Sequence, residues 1–122
     1  MYEYHHMGIP TTEKRKGEKY QPEFKMWSSG YEDSKFRIEW HRFDGDCPLH
    51  PLIKTVPHVA FKVPDLKAAI KGKKVILEPY HPLEGFQVAF IEEGGAPIEL
   101  IQTNLTEDEI IALAEKKVIN IF

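Results

Sequence analysis

One cysteine in 122 residues, Cys47, leaves no partner for an internal disulfide and excludes a cysteine-rich zinc site. A bound metal would have to take its ligands from histidines and carboxylates. The apolar runs fall far short of the roughly 20 residues a membrane helix needs, so no transmembrane segment is expected. Positive charge is not in excess. Sixteen Lys and Arg against nineteen Asp and Glu give a net charge of −3 and an isoelectric point near 6.1. That balance argues against nucleic acid as the main partner. No glycine-rich phosphate loop occurs. The opening residues, MYEYHH, lack the basic-then-apolar order of a secretory signal, so a reduced, cytoplasmic setting is expected. What remains is 42% apolar and 29% charged, the make-up of an ordinary globular domain.

Along the chain, a polar opening gives way to a strand-rich body and a helical end. The run TTEKRKGEK (11–19) is charged and aperiodic, and reads as a loop. FRIEWHRF (36–43) reads as an aromatic-rich strand, and Asp44-Gly45-Asp46 as the turn after it. Pro48 and Pro51 suggest an extended linker. VPHVAFKV (56–63) alternates, with Val59, Phe61 and Val63 on one face and His58, Ala60 and Lys62 on the other. Asp65 caps a short helix, LKAAIK, that stops at Gly72. Strands are expected at 74–77, 86–92 and 97–102, with Gly94-Gly95 as the hairpin turn between the last two. Thr106 and Glu109 form a capping box ahead of Ile110, Ile111, Leu113 and Ala114, which predicts a C-terminal helix.

This order contains a repeat. His6-Met7-Gly8-Ile9 matches His58-Val59-Ala60-Phe61 as His, large apolar, small, large apolar. Phe36-Arg37-Ile38-Glu39-Trp40 similarly matches Ala96-Pro97-Ile98-Glu99-Leu100. Each copy thus carries a His on its first strand and a Glu on its last. The first copy is the shorter, and the missing length falls where its helix should be. Bringing the copies together would converge two imidazoles and two carboxylates, a donor set suited to a divalent ion. The candidate ligands are His6, Glu39, His58 and Glu99. His5 is the rival to His6, and the pattern shared with His58 favours His6. Gly8 and Ala60 would leave space on the strand face beside each His. His41 shares the alternation face of Arg37 and Glu39, as a cavity residue or as a partly exposed strand histidine.

The segments HHMGIP, RIEW, PHVAFKVPDLKAAI and GAPIELIQT resemble those of the vicinal oxygen chelate superfamily. That group includes glyoxalases, bleomycin- and fosfomycin-resistance proteins and extradiol dioxygenases. The junction IEWHRFDGDCPLHPLI followed by HVAFKV is most similar to the methylmalonyl-CoA epimerase branch. The resemblance spans Tyr4 to Thr103 and is strongest over the second copy. It implies an α+β fold in which two paired βαβββ modules form an incomplete mixed-sheet barrel around a metal. The expected divisions are a truncated first module at 1–55, a second module at 56–103, and a C-terminal helix and tail at 104–122, all in one domain.

By position, the resemblance makes His6, Glu39, His58 and Glu99 the ligands of one divalent ion. Zinc, nickel, cobalt, manganese and iron are not distinguished by such a set. It implies a lyase, isomerase or epimerase acting on a small carbonyl or carboxylate substrate through an enediolate. Glu39 and Glu99 are then the catalytic carboxylates, and His41, Arg37, Trp40 and His5 the substrate contacts. The alternatives are a metal-free binding or resistance protein of the same fold and a metal-dependent dioxygenase. A homodimer is expected, because a first module without its helix leaves apolar sheet to cover.

Overall fold

The computed structural model describes residues 2–117, with side chains as far as residue 113. The side chain of Ala114 and the expected tail at 118–122 lie outside the described residues. Eight strands make one mixed sheet: β1 (Glu3–Pro10), β2 (Lys19–Gln21), β3 (Met26–Ser29), β4 (Ile38–Phe43), β5 (His58–Lys62), β6 (Lys74–Leu83), β7 (Phe86–Glu93) and β8 (Ala96–Thr103). Their spatial order is β2-β3-β4-β1-β5-β8-β7-β6. In each half the first strand runs parallel to the last, β1 with β4 and β5 with β8. The halves join where β1 and β5 pair antiparallel. The sheet curls into a half-barrel, with the joint at its centre.

Strand alternation assigns the two faces. On the concave side Ala60, Val88, Phe90 and Ile101 join one apolar cluster. On the convex side Leu66, Ala89, Ile91 and Leu100 join another under helix α2 (Leu66–Ile70). Asp65 caps α2 by accepting from Ala68 N, and Gly72, at φ +74°, takes the chain out of the helix. Gly94 and Gly95 both have positive φ, as the tight β7–β8 hairpin requires. The long helix α3 (Glu107–Lys117) starts with the expected capping box. Thr106 Oγ1 accepts from Glu109 N, and Glu109 Oε1 accepts from Thr106 N. Among the described residues no helix is long and apolar enough to cross a membrane.

The first half has no helix between β1 and β2, so the truncation read from the sequence is real. Helix α3 does not replace it. Ile110 is fully buried in the concave cluster, and α3 therefore packs on that side of the sheet. The convex face of β1 is left with Tyr4 and Met7, which pair across the joint with Phe61 and Val59. Among the described residues, the exposed large apolar ones are Tyr2, Tyr4, Met7 and Phe36.

Local chemistry accounts for the departures from expectation. The linker is not extended throughout. His50 Nδ1 accepts from Leu52 N and Pro51 occupies the first turn, so Pro51–Thr55 forms helix α1. β6 continues past Pro79 to Leu83, because it is an edge strand whose register shifts three times against β7. β4 begins at Ile38 rather than at residue 36. Arg37 has φ +56°, and the Ser34 hydroxyl accepts from both Phe36 N and Ile38 N, which holds a turn ahead of the strand.

The small residues at the joint have a different use from the one expected. His6 lies opposite Ala60, and Gly8 opposite His58. A Cβ on Gly8 would fall inside the van der Waals shell of the His58 ring. Gly8 therefore seats the other half's imidazole instead of opening space beside its own. Gly8→Ala is expected to destabilise by about 1–3 kcal/mol, as overpacking does in a filled interior. Gly45→Ala, where an added Cβ meets nothing within 4 Å, should stay within about 0.5 kcal/mol of wild type. Urea unfolding of the two variants checks both values.

Candidate metal centre

His6, His58 and Glu99 reach the centre of the concave face from β1, β5 and β8, and all are buried. One nitrogen from each His and one Glu99 oxygen lie within 4.8 Å of one another. Glu99 Oε1 is 3.2 Å from His6 Nε2 and 3.0 Å from His58 Nε2. Donors held about 2.0–2.2 Å from one ion are themselves about 3 Å apart, so the spacing fits. The His6 and His58 rings stand perpendicular, at 82° and 5.6 Å between centroids. The three side chains form a group able to hold one divalent ion.

Glu39, the fourth expected ligand, stands outside that group. It is buried on β4, with Oε1 3.1 Å from His41 Nε2. His41 lies across from Ser28 on β3, and its Nδ1 is 2.7 Å from the Ser28 hydroxyl. The His41 ring stacks at 5.6 Å on His58, which ties the Glu39–His41 pair to the three-residue group. His41, His58 and Glu99 line a small pocket on the concave face, to which Gln21 and Tyr80 add further polar groups. Phe24, Met26, Phe43, Leu49, Ile53 and Phe90 supply its apolar walls.

Three expected substrate contacts do not line this pocket. Trp40 faces the convex side, where the Arg15 guanidinium sits 4.0 Å over its ring and Gly30 packs against it. Arg37 precedes β4 in a positive-φ turn, so the alternation that would have aligned it with Glu39 and His41 does not reach it. Its guanidinium turns to the His5 carbonyl at 3.5 Å. His5 lies behind His6. The β1–β5 register shifts between Tyr4 and His6, and this bulge lets two consecutive residues bury together. The Nδ1 atoms of His5 and His6 are 2.8 Å apart, and His5 Nε2 is 2.6 Å from Glu107 Oε1 on α3. The Tyr31 hydroxyl donates to the other Glu107 oxygen at 2.8 Å. Glu107 and Tyr31 carry no motif that would have singled them out in the sequence.

Burial and charge set opposite trends in the two carboxylates. Burial pushes Glu99 up, but His6 and His58 together outweigh it and hold the group well below the usual carboxylate range. Burial pulls His6 down, and Glu99 more than reverses this, so His6 ends above its ordinary value. His58 is lowered by burial, with Glu99 opposing in part. At Glu39 burial wins: it pushes the group up to about 8, with His6 and His58 opposing only in part. Burial lowers His41 to about 4, which keeps it neutral near pH 7. Glu107 is held at about 2, chiefly by its hydrogen bond from His5.

The Glu39 shift has a stability signature. Its folded value lies above its unfolded one, so the native chain binds the extra proton between about pH 4.5 and 8. Its contribution to stability is therefore present below pH 4.5 and lost as pH rises toward 8. Glu39→Gln should be more stable than wild type at pH 8–9, with the gap closing toward pH 5. Urea midpoints against pH, with chelator present, check this.

No protein-family profile and no curated protein matches the sequence. Among solved structures, a hypothetical protein from Bacillus halodurans C-125, BH1468, is similar at a TM-score of 0.64 and 21% identity. The alignment covers 86% of this chain and 96% of that one, and what it shows is a shared fold.

Proposed function

We propose that the protein holds one divalent ion on His6, His58 and Glu99 and is a lyase, isomerase or epimerase of a small oxygen-bearing substrate. The observation that carries this reading is the convergence of three buried donors from strands far apart in sequence, two of which, His58 and Glu99, also line a mostly apolar pocket. A bound divalent ion would supply Lewis-acid polarisation of a substrate carbonyl. The side chains around it supply the rest. Glu39, with a value near 8, keeps a proton at neutral pH, and the neutral His41 imidazole is 3.1 Å away to exchange it. Phe24, Met26, Phe43 and Phe90 exclude water and accept the apolar part of the substrate.

A second reading has its own support. With Glu39 outside the group, the remaining two-His, one-carboxylate set is also that of iron(II) oxygenases. Dioxygen uptake by iron-loaded protein, with a catechol as the probe, would favour that reading. Proton exchange at a carbon beside a carbonyl would favour the first.

His58→Ala and Glu99→Ala are each expected to lose divalent-metal binding while far-ultraviolet circular dichroism stays near wild type. Elemental analysis of protein purified without chelator reads the outcome, and undiminished metal would refute the site. Glu39→Gln should keep its metal and lose proton exchange.

We also propose that the convex face of β1, with the turn before β4, pairs two copies of the chain into a dimer, on the strength of the exposed Tyr4 and Met7 and of Phe36, whose carbonyl accepts from the Tyr4 hydroxyl. Wild type is expected to sediment as a dimer and Met7→Glu as a monomer.

A further inference from the structure

Glu107 lies on the C-terminal helix, outside both strand repeats, yet it is joined to the candidate metal centre through two imidazoles in series. Its Oε1 is 2.6 Å from His5 Nε2, and His5 Nδ1 is 2.8 Å from His6 Nδ1. The far nitrogen of His6, Nε2, is the one that faces Glu99 at 3.2 Å. A carboxylate has no hydrogen to give, so the hydrogen in the first contact belongs to His5 Nε2. A neutral His5 that donates from Nε2 has a lone pair on Nδ1. Two nitrogens 2.8 Å apart need one donor and one acceptor, so the hydrogen between the rings sits on His6 Nδ1. His6 then presents Nε2 to the centre. Were the His5 tautomer reversed, its bare Nε2 would face the Glu107 carboxylate in a repulsive contact, and His6 would accept at Nδ1 and carry its hydrogen on Nε2.

We infer that Glu107 is a positioning residue for the metal site, fixing the tautomer of His6 through His5 and so aiming the His6 Nε2 lone pair at the ion. Metal-bound histidines commonly give their second ring hydrogen to a carboxylate or carbonyl. Here that carboxylate is reached one imidazole further out. The bulge between Tyr4 and His6 makes the arrangement possible, since regular alternation would turn His5 to the opposite face. Tyr31 steadies the outer end by donating to Glu107 Oε2 and stacking on His5 at 5.8 Å. The docking of α3 is thereby coupled to the ligand geometry of β1. The proposal rests on the metal reading for its effect on affinity, but not for the tautomer itself.

Nitrogen-15 spectra of the histidine rings in metal-free protein test the tautomer directly. In wild type His5 Nδ1 should resonate as a bare acceptor nitrogen and His6 Nδ1 as a protonated one. Glu107→Ala should abolish that asymmetry at His5, and Glu107→Gln, which keeps an acceptor oxygen, should retain it. Zinc affinity, read by competition with a chromophoric chelator, should weaken tenfold to a hundredfold in Glu107→Ala and less in Glu107→Gln. Glu109→Ala removes the capping box without touching His5. It should lower the thermal midpoint yet leave the ring spectra unchanged and the zinc affinity within twofold. A protonated His5 Nδ1 in wild type would overturn the proposal. So would ring spectra and zinc affinity in Glu107→Ala that match wild type, or a Glu109→Ala loss as large as that of Glu107→Ala. If Glu107→Ala does not fold, the wild-type and Glu107→Gln spectra decide the tautomer. Wild type with the expected ring spectra but no zinc binding would sink the metal reading and leave the His5–His6 tautomer standing.

Discussion

The antiparallel pairing of β1 with β5 governs the geometry of everything at the centre of the sheet. Its register sets His6 against Ala60 and His58 against Gly8, so each half lends a small residue to the other half's imidazole. Two rings brought this close across an antiparallel pair need room that ordinary side chains would fill. At Gly8 the requirement is tightest, because the His58 ring occupies the space of a missing Cβ. The parallel pairing of β5 with β8 then sets Ala60 beside Glu99, and β1 with β4 sets Gly8 beside Glu39. Four polar side chains are thus delivered to one face by one antiparallel pairing and two parallel ones.

Delivery to one place does not make the four equivalent. A carboxylate buried away from water is stable only when opposite charge or strong donors compensate it. Glu99 has two imidazoles at 3.0–3.2 Å and stays ionised. Glu39 has His41, which burial keeps neutral, and so it holds its proton to about pH 8. The pseudo-symmetric pair therefore divides into an anion suited to a metal and an acid suited to exchanging protons. Two carboxyl groups driven apart by their surroundings are a recurring basis for acid–base division of labour.

The repeat was legible in the sequence because its marks are local: a His with a small residue two positions on, and a Glu within an apolar strand. Those marks located β1, β4, β5 and β8 and the residues now gathered at the centre. The capping residues Asp65 and Thr106 located the starts of α2 and α3 for the same reason. What escaped depends on non-local or irregular backbone. The bulge that buries His5 shows no signal in HHMG, so the repeat singled out His6 as the ligand without revealing that His5 is buried beside it. The same alternation, run back from Glu39, placed Arg37 in the cavity; a positive-φ turn at Arg37 interrupts it. Trp40 obeys the alternation, and its parity puts it on the convex face under Arg15. Gly8 was read as space when it is a seat, because the ring that fills it comes from a residue fifty positions away.

The two halves of the centre are braced by different means. His58 is held by contact: Phe90 packs edge-to-face with it at 4.9 Å between ring centroids, His41 stacks on it, and Gly8 lies beneath it. His6 is held by hydrogen bonding, through His5 to a carboxylate on a helix that belongs to neither repeat. Packing fixes a ring in position but leaves its tautomer to whatever polar groups are near, whereas a hydrogen-bond chain fixes both. The first half has lost the helix that covers the second half's convex face, and its β1 is the more exposed of the two central strands on that side. A strand with less packing behind it gains most from a directional tether. Helix α3, capped at Thr106 and anchored by the fully buried Ile110, presents Glu107 where that tether is made.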